Sequence, residues 1–210
     1  MSQAIELNEV VSNAAVARGR AARVEIVARA ASAARPKLFF DRLDAREVRV
    51  VRRVAHASRW RFARSASICL NRLGNGWLYA AVAALWLAFA GTGAWRPALA
   101  ASAAVGVSHL CYALIKPRLG RLRPCDFDPT LIPPVKAIDK YSCPSGHCMT
   151  AAAVGVPLAL CAPPIVPAVA ATWLLIAWSR VALGHHYPTD IVLGTVLGAG
   201  VSLLVSAAVL

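Results

Sequence analysis

Long apolar runs fill most of the chain after residue 75, and short polar clusters separate them. Five of these runs approach the roughly 20 apolar residues that a helix needs to cross the hydrocarbon core of a bilayer. The pattern predicts an all-α, polytopic transmembrane helix bundle of about five spans. These spans are predicted at residues 76–95, 97–115, roughly 147–162, roughly 164–182 and 191–210.

Residues within the runs add detail to this bundle. Near the ends of the first run stand Trp77, Tyr79 and Trp95, whose amphipathic rings favour the headgroup level of a membrane. The third run is short and contains Pro157, which leaves its limits open. The fifth run is predicted to make close helix contacts through three glycines, and these are Gly194, Gly198 and Gly200.

The first 75 residues have a different character and form a basic arm. They hold 15 of the 23 Lys and Arg residues of the chain and 6 of the 10 Asp and Glu residues, and no span fits there. No early uninterrupted apolar core is present, so no signal peptide is predicted. The chain is thus divided into an arm at 1–75 and a transmembrane domain at 76–210.

The arm is predicted to be helical in two parts. Residues 5–33 are rich in alanine and are expected to be loosely helical. A better helix start lies at Asp44, with Glu47 three residues later, as in a capping box. Leu43, Val50, Val51 and Val54 then lie roughly on one face, and arginines surround it.

This pattern favours a helix that lies on an anionic membrane surface. A solvated charged arm remains the alternative. Nucleic-acid binding is not predicted, because the arm is attached to membrane spans and has no recognised nucleic-acid motif.

The positive residues also predict an orientation, because Lys and Arg beside spans tend to remain cytoplasmic. With the N-terminus inside, the cytoplasmic side holds the basic arm, the loop before the third span and Arg180, whereas the outer side holds Arg96. The expected topology is N-in and C-out, with the loop at the cytoplasmic face. The inner loop residues are Lys116, Arg118, Arg121, Arg123, Lys136 and Lys140.

The six cysteines do not follow the spacing of a metal site. Cys143 and Cys148 bracket the sequence PSGH, but the CxxC pairs of structural zinc are absent from the sequence, and no metal is predicted. Cys125 and Cys143 are expected to be reduced thiols if the loop is cytoplasmic and candidates for a disulfide if it faces outward.

Three polar clusters at the ends of spans are predicted to meet on one membrane face. They are KPRLGRLRP at 116–124, PSGH at 144–147 and SRVALGHHYPTD at 179–190. Cations, a hydroxyl and the free N–H groups of a helix start suit a multiply charged oxyanion. Two histidines and a carboxylate supply a nucleophile, a proton donor and an orienting group.

The spacing of the clusters resembles the three-part signature of the type 2 phosphatidic acid phosphatase (PAP2) superfamily, in its bacterial membrane branch. K-x6-RP, PSGH and SR-x5-H-x3-D are all present, and the resemblance covers roughly residues 75–210. It implies an integral membrane lipid phosphatase that needs no metal or other cofactor and acts through a phosphohistidine.

The resemblance also implies a role for each matching residue. His186 is similar to the nucleophile, Asp190 to the group that orients it, and His147 to the general acid. The groups that bind the phosphoryl oxygens are then Lys116, Arg123, Ser145, the Gly146 amide and Arg180. His185 is expected to be a neighbour, because the signature spacing selects His186, and structural roles are predicted for His56 and His109.

The resemblance leaves the substrate and some alternatives open. Polyprenyl phosphates, polyprenyl diphosphates and polyprenyl-linked sugar phosphates are slightly favoured, and phosphatidylglycerophosphate and phosphatidate fit as well. A lipid phosphotransferase and a non-catalytic protein that binds anionic lipid are the alternatives. Here the first motif follows the second predicted span and not the third as in the family, which agrees with a cytoplasmic site. The sequence makes no prediction of oligomeric state.

Overall fold

The computed structural model describes residues 40–210, and within this range the chain is helical and has no strands. The predicted all-α fold is confirmed. Residues 5–33, where a loose helix was predicted, lie outside the described range. The helices are α1 (Asp41–Ala57), α2 (Arg61–Leu73), α3 (Trp77–Phe89), α4 (Trp95–Leu119), α5 (Pro124–Phe127), α6 (Gly146–Cys161), α7 (Val166–Ala182) and α8 (Pro188–Val209), with a 3-10 turn at Pro163–Ile165.

The centre of the fold consists of α4, α6 and α8, which pack pairwise against one another. Small residues make this close packing possible. A Cβ on Gly194 would lie 2.4 Å from the carbonyl oxygen of Ser145, and one on Gly198 would lie 2.2 Å from that of Met149. The predicted close contact is therefore confirmed at these two glycines, whereas the prediction is wrong for Gly200, which has nothing within 4 Å of its Cβ position.

Three helical segments are long and apolar enough to cross a membrane, namely Trp95–Phe127, Pro163–Ala182 and Pro188–Val209. The other two predicted spans correspond to α3 and α6, which have 13 and 16 residues. These lengths give about 20 and 24 Å, less than the roughly 30 Å of the hydrocarbon core. That α3 and α6 also cross the membrane, which would give five spans, therefore remains a prediction.

The first predicted span, at 76–95, is interrupted before its end. The helix α3 ends at Phe89, and Gly91 adopts a φ of +78°, a left-handed conformation that glycine tolerates. The next helix begins at Trp95, so the tryptophan predicted to end the first span instead begins α4.

The helix predicted to start at Asp44 instead starts at Asp41, and it packs on the bundle. The residues from Arg42 onwards form one compact unit, and the division after residue 75 into an arm and a transmembrane domain remains a prediction. The buried face of α1 contains two acidic residues that form ion pairs with Arg121. The four buried side chains are Asp44, Glu47, Val48 and Val51, while Val50 is exposed.

Candidate active site

The three sequence clusters meet at one end of the bundle. Lys116 lies in the last turn of α4, and Arg123 lies just before α5. Ser145 precedes the first residue of α6, and Arg180 lies in the last turn of α7. The loop from α7 to α8 contains His186. The side chains of Lys116, Arg123, Ser145, Arg180, His186 and Asp190 are buried.

His186 and Asp190 form the centre of this cluster. The Nδ1 atom of His186 lies 3.7 Å from Oδ2 of Asp190, which is longer than a hydrogen bond. Two other groups hold the carboxylate of Asp190. Its Oδ2 accepts a hydrogen bond from the backbone N–H of Tyr187 at 2.8 Å, and its Oδ1 accepts one from Nη1 of Arg121 at 2.6 Å. Arg121 and the backbone of Tyr187 thus fix Asp190 beside the imidazole.

The other ring nitrogen of His186 faces the cations. Its Nε2 lies 3.4 Å from Nη1 of Arg123. Burial, followed by the positive charges of Arg123, Arg180 and Lys116, holds the pKa of His186 well below its ordinary value. The imidazole is therefore neutral near pH 7 and can direct a lone pair towards an electrophile at the cationic cluster.

His147 reaches the same end of the bundle from the first turn of α6. Its Nε2 lies 2.9 Å from Oδ1 of Asn75, a residue between α2 and α3. The hydroxyl of Tyr79 in α3 donates to the backbone carbonyl of His147 at 3.3 Å. Elements outside the recognised signature therefore position this histidine.

The three predicted phosphate-binding cations are buried but differ in their partners. Nη1 of Arg180 donates to the side-chain oxygen of Asn71, whereas its Nε is buried and has no hydrogen-bond partner among residues 40–210. Lys116 and Arg123 both contact the carboxylate of Asp139. A buried donor without a partner is costly, so the Nε of Arg180 suits an incoming acceptor.

The PSGH turn is attached to the third cluster through its backbone. The N–H of Ser145 donates to the carbonyl of Asp190 at 2.9 Å. Gly146 is the first residue of α6, and the first N–H groups of a helix have no partner within the helix. The Gly146 amide is therefore available to an anion, whereas the Ser145 amide is already used.

The sequence did not predict that Arg121 would join the N-terminal helix to the site. Nη2 of Arg121 lies 2.7 Å from Asp44 and 2.6 Å from Glu47, and its Nη1 lies 2.6 Å from Asp190. Its guanidinium also lies over the ring of Tyr187, 4.1 Å from the centroid. The acidic pair predicted as a helix start thus binds the guanidinium that holds Asp190.

Three further residues were missed because their signal is weak. Asn71 and Asn75 contact Arg180 and His147, and Asp139 contacts Lys116 and Arg123. The asparagines stand four residues apart around the end of α2, and this spacing is the only hint that the sequence gives.

The remaining histidines and cysteines have other surroundings. Nε2 of His185 lies 2.8 Å from the carbonyl of Val135, and Nδ1 of His109 lies 2.9 Å from the carbonyl of Val105 on its own helix. His56 is exposed on α1. All six cysteines are free thiols, so the possible Cys125–Cys143 disulfide is not formed.

The chain is similar to known proteins in sequence and in fold. The PAP2 superfamily pattern matches residues 97–210, more than half of the 210 residues. An undecaprenyl-diphosphatase of Sulfolobus acidocaldarius is 31% identical over 144 residues, and the match covers 65% of this chain and 66%, just under two thirds, of that protein.

A solved structure has a similar fold. It is the crystal structure of a transmembrane PAP2 type phosphatidylglycerolphosphate phosphatase from Bacillus subtilis, with a TM-score of 0.63 and 21% sequence identity. The likeness covers 89% of this chain and 94% of that chain. It shows a shared transmembrane fold, which agrees with the apolar bundle.

Proposed function

The chain belongs to the PAP2 superfamily, and from this membership we propose that it is an integral membrane lipid phosphatase that acts through a phosphohistidine at His186. The main supporting observation is the convergence of His186, Asp190, His147 and three buried cations at one end of an apolar bundle. These groups come from chain segments that are far apart in sequence, and they provide both the charge and the proton transfer that phosphoryl transfer needs.

In the first proposed step, Nε2 of His186 attacks the phosphorus atom of the substrate. A P–N bond forms, and the P–O bond to the lipid breaks with its electron pair on the leaving oxygen. We propose that the negative charge of the bound substrate keeps His147 protonated, and that His147 gives its proton to that oxygen. Asp190 stabilises the positive imidazole through Nδ1, and the separation of 3.7 Å is expected to shorten as that charge develops.

In the second proposed step, water attacks the phosphohistidine. His147, now neutral, takes a proton from the water, the P–N bond breaks and its electron pair returns to Nε2 of His186. Inorganic phosphate then leaves. The charge of the transition state is stabilised by Lys116, Arg123, Arg180 and the Gly146 amide, so we propose that the reaction needs no metal.

An apolar groove supports the proposal that the substrate carries a long hydrocarbon chain. It has a volume of about 1050 Å³ and is bounded by α3, α6 and α7, the start of α4 and the end of α8. Tyr79 lines one part of the groove and also contacts the backbone of His147, which connects the groove to the site. Arg96 lines the groove and donates to the carbonyl of Val209 at 2.8 Å near the end of α8.

We favour a polyprenyl diphosphate or phosphate as the substrate. The Sulfolobus relative bears the name undecaprenyl-diphosphatase, and a groove alongside α3, a helix about 20 Å long, can accept several isoprene units. Phosphatidylglycerophosphate and phosphatidate remain in the panel of substrates to test.

We further propose that the site faces the cytoplasm and that the basic N-terminal helices lie at an anionic lipid surface. Trp60 lies just before α2 and Phe62 lies in its first turn; they are 63% and 70% exposed and their rings are 5.5 Å apart, as suits an interfacial anchor. The same two helices and the turn between them carry exposed arginines, and positive charge favours the cytoplasmic leaflet. These include Arg49, Arg53, Arg59, Arg61 and Arg64.

Phosphate release by the detergent-purified protein tests the proposed function. The panel comprises polyprenyl phosphates and diphosphates, phosphatidylglycerophosphate and phosphatidate, each with and without EDTA. We expect release that persists in EDTA and is lost in His186→Ala, whereas His185→Ala keeps most of it. Near-normal release by His186→Ala would contradict the assigned nucleophile, and loss of release in EDTA would contradict metal independence.

A further inference from the structure

The segment between α5 and α6 places an acidic side chain among the predicted phosphate-binding cations. Oδ2 of Asp139 lies 2.9 Å from Nζ of Lys116, and its Oδ1 accepts from Nη2 of Arg123. The hydroxyl of Tyr112 donates to the same carboxylate, and Nε of Arg123 donates to the backbone carbonyl of Asp139 at 3.0 Å. One carboxylate therefore engages two of the three predicted phosphate-binding cations.

A carboxylate and a phosphate compete for such donors. Both accept hydrogen bonds from guanidinium and ammonium groups in the same geometry, and Arg binds either of them through its planar fork. Arg123 also lies 3.4 Å from Nε2 of His186, so an acceptor on this guanidinium stands close to the proposed nucleophile. Full engagement of Lys116 and Arg123 by a substrate phosphate requires Asp139 to leave at least part of this position.

Asp139 is charged at neutral pH. Burial acts to raise the pKa of its carboxyl group, but hydrogen bonds from Tyr112 and Lys116 and the charges of Lys116 and Arg123 outweigh burial and lower it. The carboxylate therefore supplies negative charge to the cations, as a bound anion does.

The surroundings of Asp139 allow it to move. Its side chain is 32% exposed, in contrast to the buried cations that it contacts. Its segment has no regular helix between Asp128 and Ser145, and the side chains of Ile132 and Ile138 are 86% and 75% exposed. The contact of His185 with the carbonyl of Val135 tethers the segment beside the nucleophile.

We propose that Asp139 is an internal anion that occupies the phosphate position between turnovers, leaves it when substrate binds and displaces the inorganic phosphate product when it returns. This inference rests on the proposed function, because it takes Lys116 and Arg123 as phosphate ligands. Only molecules in which Asp139 has left the phosphate position can bind phosphate. The apparent affinity for phosphate is therefore reduced to the intrinsic affinity multiplied by the fraction of such molecules. Asp139 thus weakens phosphate binding and speeds product release.

A purely structural role for Asp139 predicts the opposite effect. If the carboxylate only held Lys116 and Arg123 in position, its removal would loosen both cations and weaken anion binding. The isosteric variant Asp139→Asn separates the two cases, because it removes the charge and keeps the shape. Asp126→Asn is a matched control, since it removes a carboxylate charge near the same cation. Asp126 is exposed on the neighbouring helix α5 and its carboxylate interacts with the charge of Arg123, but its backbone N–H, not its side chain, makes the hydrogen bond to Arg123.

The test measures binding of inorganic phosphate and orthovanadate by isothermal titration calorimetry, with the full-length chain in detergent. We expect Asp139→Asn to bind both anions about tenfold more tightly than the wild type, and Asp126→Asn to bind them less than about twofold differently. In turnover assays, phosphate should inhibit Asp139→Asn at correspondingly lower concentrations.

Each other outcome has a distinct meaning. Equal or weaker anion binding by Asp139→Asn would overturn the role of Asp139, and the proposed phosphatase would stand as long as turnover still depended on His186. Failure of the wild type and Asp139→Asn to bind either anion would overturn both the role of Asp139 and the oxyanion site on which it rests.

Discussion

At the scale of single residues, the surroundings of His186 suit the nucleophile that we propose it to be. One ring nitrogen faces Arg123 and the other faces Asp190, and the whole side chain is buried. Three nearby cations make protonation unfavourable. The same positive charges that would bind a phosphate therefore also favour the neutral form of His186, which the proposed nucleophile requires.

The lowered pKa of His186 predicts the pH dependence of turnover. A histidine with a lowered pKa remains neutral as the pH falls through about 6.5, the ordinary value, and becomes protonated only at lower pH. We expect the acid limb of kcat/KM to lie below the ordinary histidine value of about 6.5 for both a phosphate monoester and a diphosphate. A limb at pH 6.5 or above for both substrates would contradict this assignment.

Asn75 is predicted to position His147. Replacing Asn75 by alanine removes the acceptor 2.9 Å from Nε2 of His147, which should lower kcat about tenfold, the equivalent of one net hydrogen bond, and leave KM nearly unchanged. In Asn75→Asp, the carboxylate should stabilise protonated His147 and move the basic limb of kcat to higher pH. A rise in KM without a change in kcat, or an unmoved limb, would indicate a different role.

The sequence predicted the chemical groups of the site better than their supports. Lys116, Arg123, His147, His186 and Asp190 are identifiable because fixed spacings relate the members of each motif. Asn75 and Asp139 lie in turns, where no periodicity indicates which way a side chain points. Their contacts arise from how the helices pack, which the motifs do not encode.

At the scale of helices, the contact of α8 with α6 determines where the PSGH turn sits. Gly194 lies against the backbone of Ser145 and Gly198 against that of Met149. The helices leave no room for a side chain at either position. The sequence predicted this contact from glycine content, but Gly200 has the same composition signal and faces open space. Only the rotation of the helix distinguishes them.

Gly198→Ala tests this contact through stability. The added methyl group would meet the backbone of Met149, and overpacking of this kind costs about 1–3 kcal/mol. We expect a lower thermal unfolding temperature in detergent. Gly200→Ala should be neutral or slightly stabilising, because alanine favours a helix, and equal effects of the two changes would contradict the packing.

At the scale of the whole molecule, α1 and α2 and the membrane bundle belong to one compact unit from Arg42 onwards. Arg121 contacts Asp44 and Glu47 on α1 and Asp190 in the site. The sequence suggested a division after residue 75, because charge is concentrated before it. That division remains a prediction. The contact of α1 with the site could not be read from the sequence, because a pairing across more than 70 residues leaves no local pattern.

Removal of Arg121 should therefore affect both folding and turnover. Arg121→Met leaves buried carboxylates without their shared guanidinium, which costs about 3–5 kcal/mol, and frees Asp190 beside His186. We expect a lower unfolding temperature and a loss of phosphate release. Arg118→Met, a change at an exposed arginine bonded to the carbonyl of Leu114, should have little effect, and similar losses in both variants would contradict the network.

Trapping of the phosphoenzyme tests the central claim most directly. The purified protein is mixed with a polyprenyl diphosphate labelled with ³²P at its terminal phosphate and is quenched within milliseconds in alkali, where phosphohistidine persists. We predict label on the wild-type chain, mapped to the peptide that contains His186, and none on His186→Ala. Rapid release of labelled phosphate by the wild type with no label on the chain would contradict a covalent mechanism.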